Sequence, residues 1–178
     1  MKSSFNFVPG VLGMIMLLIC AMMTSIAIVR EKEMGTMEIL LVSPMKPIYI
    51  ILSKITPYFV LSCVNFATIM LLSVFVLGVP IAGSFMSLVA VSLLYIFVSL
   101  SFGLLVSTIT HSQQAAMLVS GMGLMIPVML LSGMMFPIEN MPLPLQFLSN
   151  IVPAKWYIRA VKAIMIEGLG ITSVLKDV

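Results

Sequence analysis

Charged residues are scarce in this sequence: Asp, Glu, Lys and Arg make up only 8% of its 178 residues. Soluble domains carry about 25% charged residues, so this chain has too little polar surface to cover a water-soluble globule. Intrinsic disorder is excluded too, because it combines high charge with low hydrophobicity, whereas this chain is 61% hydrophobic. The mean hydropathy of +1.23 predicts an integral membrane protein with several spanning helices.

Side chains that carry out chemistry are also few. His111 is the only histidine, and the two cysteines, Cys20 and Cys63, lie in apolar runs without metal-ligand spacing. An intramembrane serine protease needs a histidine beside its serine, and a single histidine at a helix end fits that role poorly. No Walker A pattern occurs in the sequence. We predict no catalytic residue, no metal site and no cofactor on this chain, and therefore no enzyme.

Four apolar runs are long enough to cross a bilayer, which takes about 20 helical residues. They cover residues 5–29, 55–79, 85–109 and 115–136. Spanning β-strands are about 9–11 residues long and alternate in polarity, unlike these runs. We predict an all-α integral membrane fold with a single transmembrane domain over 1–178. Prolines interrupt the pattern after the fourth run, so residues 137–168 are predicted to form a re-entrant or interfacial segment.

The segment 30–54, between the first two runs, holds seven of the fifteen charged residues. We predict a short amphipathic helix within it, because Gly35 permits a sharp exit from the first span, Thr36 is a suitable N-cap and Ser43-Pro44 ends the helix. Its apolar stripe would consist of Met37, Leu40 and Leu41. From the residues alone, such a helix either lies on lipid or binds a soluble partner.

The net charge of +3 comes from basic residues beside apolar runs. We interpret them as positive-inside anchors and predict no nucleic-acid partner. Lys and Arg are nearly balanced between the two sides of the membrane. Lys155, Arg159 and Lys162 are discounted, because an interfacial helix lets such side chains snorkel into the headgroups. The segment 30–54 is then predicted to be cytoplasmic.

Small residues and methionines leave several interpretations open. Ser99, Gly103 and Ser107 recur at every fourth position, which allows close helix packing either within one subunit or at a dimer seam. The fourth span carries a cluster of methionines, Met122, Met125 and Met129. They suit plain core or lipid contact, a wall facing hydrophobic cargo, or a Cu(I) path.

Two motifs resemble a known family. The string REKEMGTMEILLVSP, from Arg30 to Pro44, is similar to the cytoplasmic coupling segment of ABC transporter permeases of the type-2 exporter class. The stretch from Leu131 to Pro153 is similar to the extracytoplasmic re-entrant hairpin of that family. The motifs occur in the expected order, and together with the spans the resemblance covers nearly the whole chain.

The resemblance implies a permease in a bacterial inner membrane that pairs with a second protomer and a cytosolic ABC ATPase. ATP and Mg²⁺ would bind to the ATPase. The coupling helix would contact it through Glu33, Gly35, Thr36, Met37, Glu38, Leu40 and Leu41, with Leu40 and Leu41 packing the helix down. The hairpin would include Pro137, Met141, Pro142 and Pro153. The family often has Gln where this chain has Ile39, and it has further spans before the first run and after the hairpin, so the chain resembles a fragment.

We therefore predict the permease subunit of an ATP-driven exporter that moves a hydrophobic or amphipathic substrate out of the cytoplasm by alternating access. The substrate path would pass Met122, Met125 and Met129. The alternative is an ion-coupled secondary transporter, or another polytopic membrane protein without an ATPase partner. A secondary transporter would be expected to show charges within its spans or broken helices, and only Pro127 suggests a break.

Overall fold

The computed structural model describes residues 2–76, 78, 83–133, 136–165, 167, 168, 172 and 176. Every regular element in these residues is helical. The helices are α1 (Lys2–Glu33), α2 (Thr36–Val42), α3 (Pro47–Phe75), α4 (Phe85–Ile109), α5 (Gln113–Leu131), α6 (Leu143–Ile151) and α7 (Pro153–Met165), with a 3₁₀ turn at Ile138–Asn140. Positions 77, 79, 134 and 135 of the predicted spans, and position 166 of the segment 137–168, lie outside the described residues.

Four of the helices, α1, α3, α4 and α5, are long and apolar enough to cross a membrane. The prediction of an all-helical chain with four candidate spans is therefore confirmed for the described residues. A helix suits these apolar runs because it satisfies each backbone polar group internally, which lipid cannot do. Pro47 begins α3, where its missing N–H costs no hydrogen bond.

Helix α1 lies at the centre of the bundle and packs against α3, α4, α5 and α7. Half of its most apolar window is buried, compared with 17% for α5. Helix α4 runs parallel to α1. The Tyr95 hydroxyl donates to the Gly13 carbonyl near the start of both helices, and Lys32 donates to the Ser107 carbonyl near their ends.

Helices α3 and α5 run antiparallel to α1. Cys20 Sγ donates to Ser62 Oγ at 3.0 Å on the α3 side. On the α5 side, Ser25 Oγ lies 3.5 Å from Ser120 Oγ. The bundle therefore has one end where α1 and α4 finish and α5 begins, and an opposite end where α1 and α4 begin.

The core contains large apolar side chains from α1, α4 and α7. Those that are almost completely buried include Leu12, Met16, Leu17, Leu88, Ile96, Leu100, Ile164 and Met165. Between the helices, most buried polar groups are serine and threonine hydroxyls, and many bond back to a carbonyl in the preceding turn, as Ser99 does to Tyr95. Small hydroxyl residues let neighbouring helices approach closely, and bonds to the preceding turn pair many of their hydroxyls. Thr24 Oγ1 and Ser132 Oγ have no partner among the described residues.

Helices α6 and α7 form a helical pair that turns at Val152-Pro153. This turn shares a cavity of about 210 Å³ with Leu17 of α1 and Val128 of α5. Helix α7 packs into the bundle, and Lys155 is only 7% exposed. The expectation that Lys155 snorkels into headgroups is therefore wrong, because its ammonium donates within the turn, to Ser149 Oγ at 3.3 Å and to Asn150 Oδ1.

Candidate functional site

The chain changes direction between α1 and α2 at Gly35. Its backbone has φ 73° and ψ 2°, the left-handed region that glycine adopts without a Cβ penalty. Apart from Gly35 and its two chain neighbours, the described residues place no atom within 4 Å of where a Cβ would stand. Gly35, and not Thr36 as predicted, is the N-cap of α2. Thr36 is already helical, and its hydroxyl donates to the Glu31 carbonyl at 3.2 Å.

Helix α2 contacts α1 across the turn at Met34 and Gly35. Met37 and Leu40 are half-buried. Leu41 is 66% exposed, so within the described residues it does not pack the helix onto the rest of the chain. A helix turns by about 100° per residue, so Leu41 is rotated away from the edge that Leu40 occupies.

The rest of α2 presents apolar side chains to the surroundings. None of its residues is buried. Ile39 is 73% exposed and Val42 is 85% exposed, and the carboxylate-bearing residue Glu38 is exposed as well. We call the exposed apolar residues of this short segment the α2 surface, and they are Met34, Ile39, Leu41, Val42 and Met45. Apolar side chains grouped outside the spans are typical of an interaction site.

The end of α1 next to this surface is charged. Glu33 accepts two hydrogen bonds from Gln113, the first residue of α5: Oε1 from the backbone N–H at 3.0 Å and Oε2 from the side-chain amide at 2.7 Å. Glu31 forms an ion pair with Lys54 of α3. Sequence reasoning missed these partners, although the run of four charges at 30–33 was a signal that this helix end is polar.

At the opposite end of the bundle, the predicted hairpin residues meet α5. Pro137, Met141 and Pro142 line a cavity of about 500 Å³ together with Ile126 and Leu130 of α5. The structure thus brings three of the four predicted hairpin residues together. The fourth, Pro153, begins α7 and lies at the smaller cavity by the turn.

The predicted methionine path lies on α5. Met122 is 61% exposed, Met125 is 40% exposed and Met129 is half-buried.

The α2 surface and the hairpin are far apart. The α7 side chains that contact α1 reach Gly13, and α2 follows Glu33, about 20 residues or about 30 Å further along α1. In the described part of the chain, no three His, Cys, Asp or Glu side chains come together as a metal site.

The sequence matches the ABC-2 type transporter family over residues 1–166. It is 37% identical over 166 residues to the probable multidrug ABC transporter permease YbhS of Escherichia coli, covering 93% of this chain and 44% of that protein. It is 34% identical over 181 residues to the E. coli inner membrane transport permease YhhJ, covering 96% of this chain and 47% of that protein.

A eukaryotic relative, ABC transporter G family member 23 of Dictyostelium discoideum, is 29% identical over 170 residues, which cover 94% of this chain and 24% of that protein. The chain thus spans less than half the length of the curated relatives it matches. No solved structure matches it significantly.

Proposed function

The chain belongs to the ABC-2 type transporter family, and from that premise we propose that it forms the membrane core of the permease subunit of an ATP-driven exporter. In this proposal the chain binds no nucleotide. ATP and Mg²⁺ act on a cytosolic ABC ATPase, and a second permease protomer completes the transporter. The membrane is a bacterial inner membrane, in line with the E. coli relatives.

The α2 surface is the observation that carries the ATPase assignment. Ile39, Leu41 and Val42 are each at least two-thirds exposed and lie outside the four candidate spans. Water would surround these side chains unless a protein or lipid covered them, and removing apolar surface from water is favourable by about 25 cal/mol per Å² before the costs of association. The charges that flank α2, such as Glu33 and Lys46, favour a polar setting for its surroundings. We propose that a groove of the ATPase holds this helix.

The connection between α2 and α1 supports a mechanical role. Only two residues, Met34 and Gly35, separate the two helices. When the ATPase binds ATP and closes, displacement of α2 would act directly on α1, which packs against every other span. Transport then follows if the two states of the ATPase favour different arrangements of the spans.

The exposed methionines of α5 and the hairpin cavity support a path for hydrophobic or amphipathic cargo. Met122 and Met125 present flexible thioether side chains that adapt to varied apolar shapes. Beyond them, the cavity of about 500 Å³ between α5 and the hairpin lies within the usual range for ligand sites. We propose that cargo passes along α5 and leaves past Pro137 and Met141, with residues 137–165 forming an extracytoplasmic re-entrant hairpin.

Affinity purification of the full-length protein from its native host in mild detergent tests this function. The expected result is recovery of a subunit that hydrolyses ATP, with hydrolysis inhibited by vanadate. If no ATPase is recovered and transport is driven by an ion gradient, the protein is a secondary transporter instead.

A further inference from the structure

Three consecutive charged residues at the end of α1 each bond to a different spanning helix. The pairs are Glu31 with Lys54 of α3, Lys32 with the Ser107 carbonyl of α4, and Glu33 with Gln113 of α5. One turn of α1 therefore connects the ends of all the other spans. This turn is separated from α2 only by Met34 and Gly35, so any movement of α2 reaches it first.

The bond from Glu33 to α5 differs from the other two in its geometry. Both carboxylate oxygens are used, one by the backbone N–H of Gln113 and one by its side-chain amide. The first N–H groups of a helix have no partner within the helix, and they form its positive end. A carboxylate placed there supplies an acceptor and a favourable charge together.

Helix α5 is the least buried of the four candidate spans. Only 17% of its most apolar window is buried, the lowest share of the four. Its other polar link to α1, between Ser25 Oγ and Ser120 Oγ, is long at 3.5 Å. The two bonds at Glu33, at 3.0 Å and 2.7 Å, are shorter polar links between the same two helices.

We propose that Glu33 is a positioning residue that makes the start of α5 follow the end of α1, and not a contact to the ATPase. This role rests on the proposed function, because it transmits movement of α2 to the helix that carries Met122 and Met125. Each oxygen of Glu33 accepts a hydrogen bond from Gln113, so this carboxylate joins the end of α1 to the start of α5 without any partner protein.

Hydrogen exchange of the Gln113 amide in the full-length protein tests the bond without reference to any ATPase. In Glu33→Ala this amide loses its acceptor, and its exchange should accelerate about tenfold or more. Glu33→Gln keeps an acceptor for the N–H, and its amide can also pair with a flipped Gln113 side chain, so protection should be retained. The Ala115 amide, which donates to Ser112 Oγ, is the internal control and should not change in either variant. Equal exchange at Gln113 in wild type and Glu33→Ala would overturn the proposal.

Transmission is tested in the same variants by adding Met122→Cys and measuring maleimide labelling at position 122, separately from Cys20 and Cys63, with and without ATP and vanadate. Nucleotide should change the labelling rate in the parent and in Glu33→Gln, and the change should be lost in Glu33→Ala while ATPase recovery stays at the parent level.

If both Glu33 variants lose the ATPase, Glu33 is a docking residue and the proposal is wrong. If the parent shows no nucleotide effect at position 122, transmission to α5 is refuted. Absence of any ATPase with wild type instead refutes the proposed function, and the exchange experiment still decides the role of Glu33.

Discussion

The rings of Tyr95 in α4 and Tyr157 in α7 stack with their centroids 4.0 Å apart and their planes within 4°. Each hydroxyl is also bonded, Tyr95 to the Gly13 carbonyl at 2.7 Å and Tyr157 to Ser92 Oγ at 2.9 Å. The pair thereby joins α7 to both α1 and α4. It explains how a short helix of 13 residues is held inside a bundle of much longer ones.

Tyr157→Phe keeps the ring stack but removes the hydroxyl that bonds to Ser92. We expect it to lower the free energy of unfolding by about 0.5–1.5 kcal/mol, the usual net contribution of one hydrogen bond. Denaturant unfolding in detergent micelles measures this.

In a double-mutant cycle, adding Ser92→Ala to Tyr157→Phe should cost little more, because both substitutions remove the same bond. Tyr49→Phe is the matched control, since Tyr49 is 57% exposed. Equal losses at Tyr49 and Tyr157 would refute the role of this bond.

Close packing of α1 on α4 predicts a sharp effect at Gly103. A Cβ there would stand 2.7 Å from Thr24 Cβ and 2.8 Å from the Ala21 carbonyl oxygen. Gly103→Ala should therefore push the helices apart and destabilise the protein by about 1–3 kcal/mol. The midpoint of thermal unfolding in detergent reports this. Gly123→Ala is the control, because its nearest neighbour, Val119 Cγ1, is 3.9 Å away. A Gly103→Ala protein as stable as Gly123→Ala would show that α1 and α4 are not packed as described.

The contact between Gly103 and α1 also shows whether the small residues of α4 pack within one subunit or form a dimer seam. Ser99, Gly103 and Ser107 are buried within one chain, with Gly103 against α1. Of the two interpretations that the spacing allowed, packing within a subunit is the one that the structure supports at Gly103.

The left-handed backbone of Gly35 predicts that other residues there disturb the direction of α2. Gly35→Ala has room for its Cβ but costs about 1–2 kcal/mol in this conformation. It should therefore reduce ATPase recovery with the full-length protein about 5- to 30-fold. Gly35→Asn should lose less, because asparagine visits the left-handed region more readily. Full ATPase recovery with Gly35→Ala would mean that the angle between α1 and α2 does not matter for docking.

Much of the fold follows from the sequence, because the four apolar runs are long and bounded by polar or proline-rich breaks. The sequence does not indicate which side of each helix packs against its neighbours. In a membrane helix both the buried and the lipid-facing sides are apolar, so the pattern does not indicate which side meets a neighbour. The burial of Lys155 does not follow from the sequence either. Its partners, Ser149 and Asn150, come within reach only when α6 folds back on α7.

For the candidate site at α2 and the end of α1, the sequence likewise indicated the position of the helix but not the contacts of its side chains. The glycine and proline at its borders placed α2 correctly between residues 35 and 43. Leu41 faces away from the rest of the described chain, and no local pattern shows which side of a seven-residue helix meets its neighbours. The bond between Glu33 and Gln113 joins residues 80 positions apart, and no local pattern encodes such a contact.

Co-purification of the Leu41→Arg variant with the ATPase tests whether α2 docks on that subunit. Leu41 is 66% exposed and supports no part of the bundle, so the substitution should leave the spans folded while placing a charge in the centre of the α2 surface. Gln114→Arg is the matched control, since it adds the same charge to an exposed site at the same end of the bundle. Wild type and Gln114→Arg should recover the ATPase, and Leu41→Arg should recover at least about tenfold less. Wild-type recovery with a folded Leu41→Arg protein would show that α2 does not dock on the ATPase through this surface.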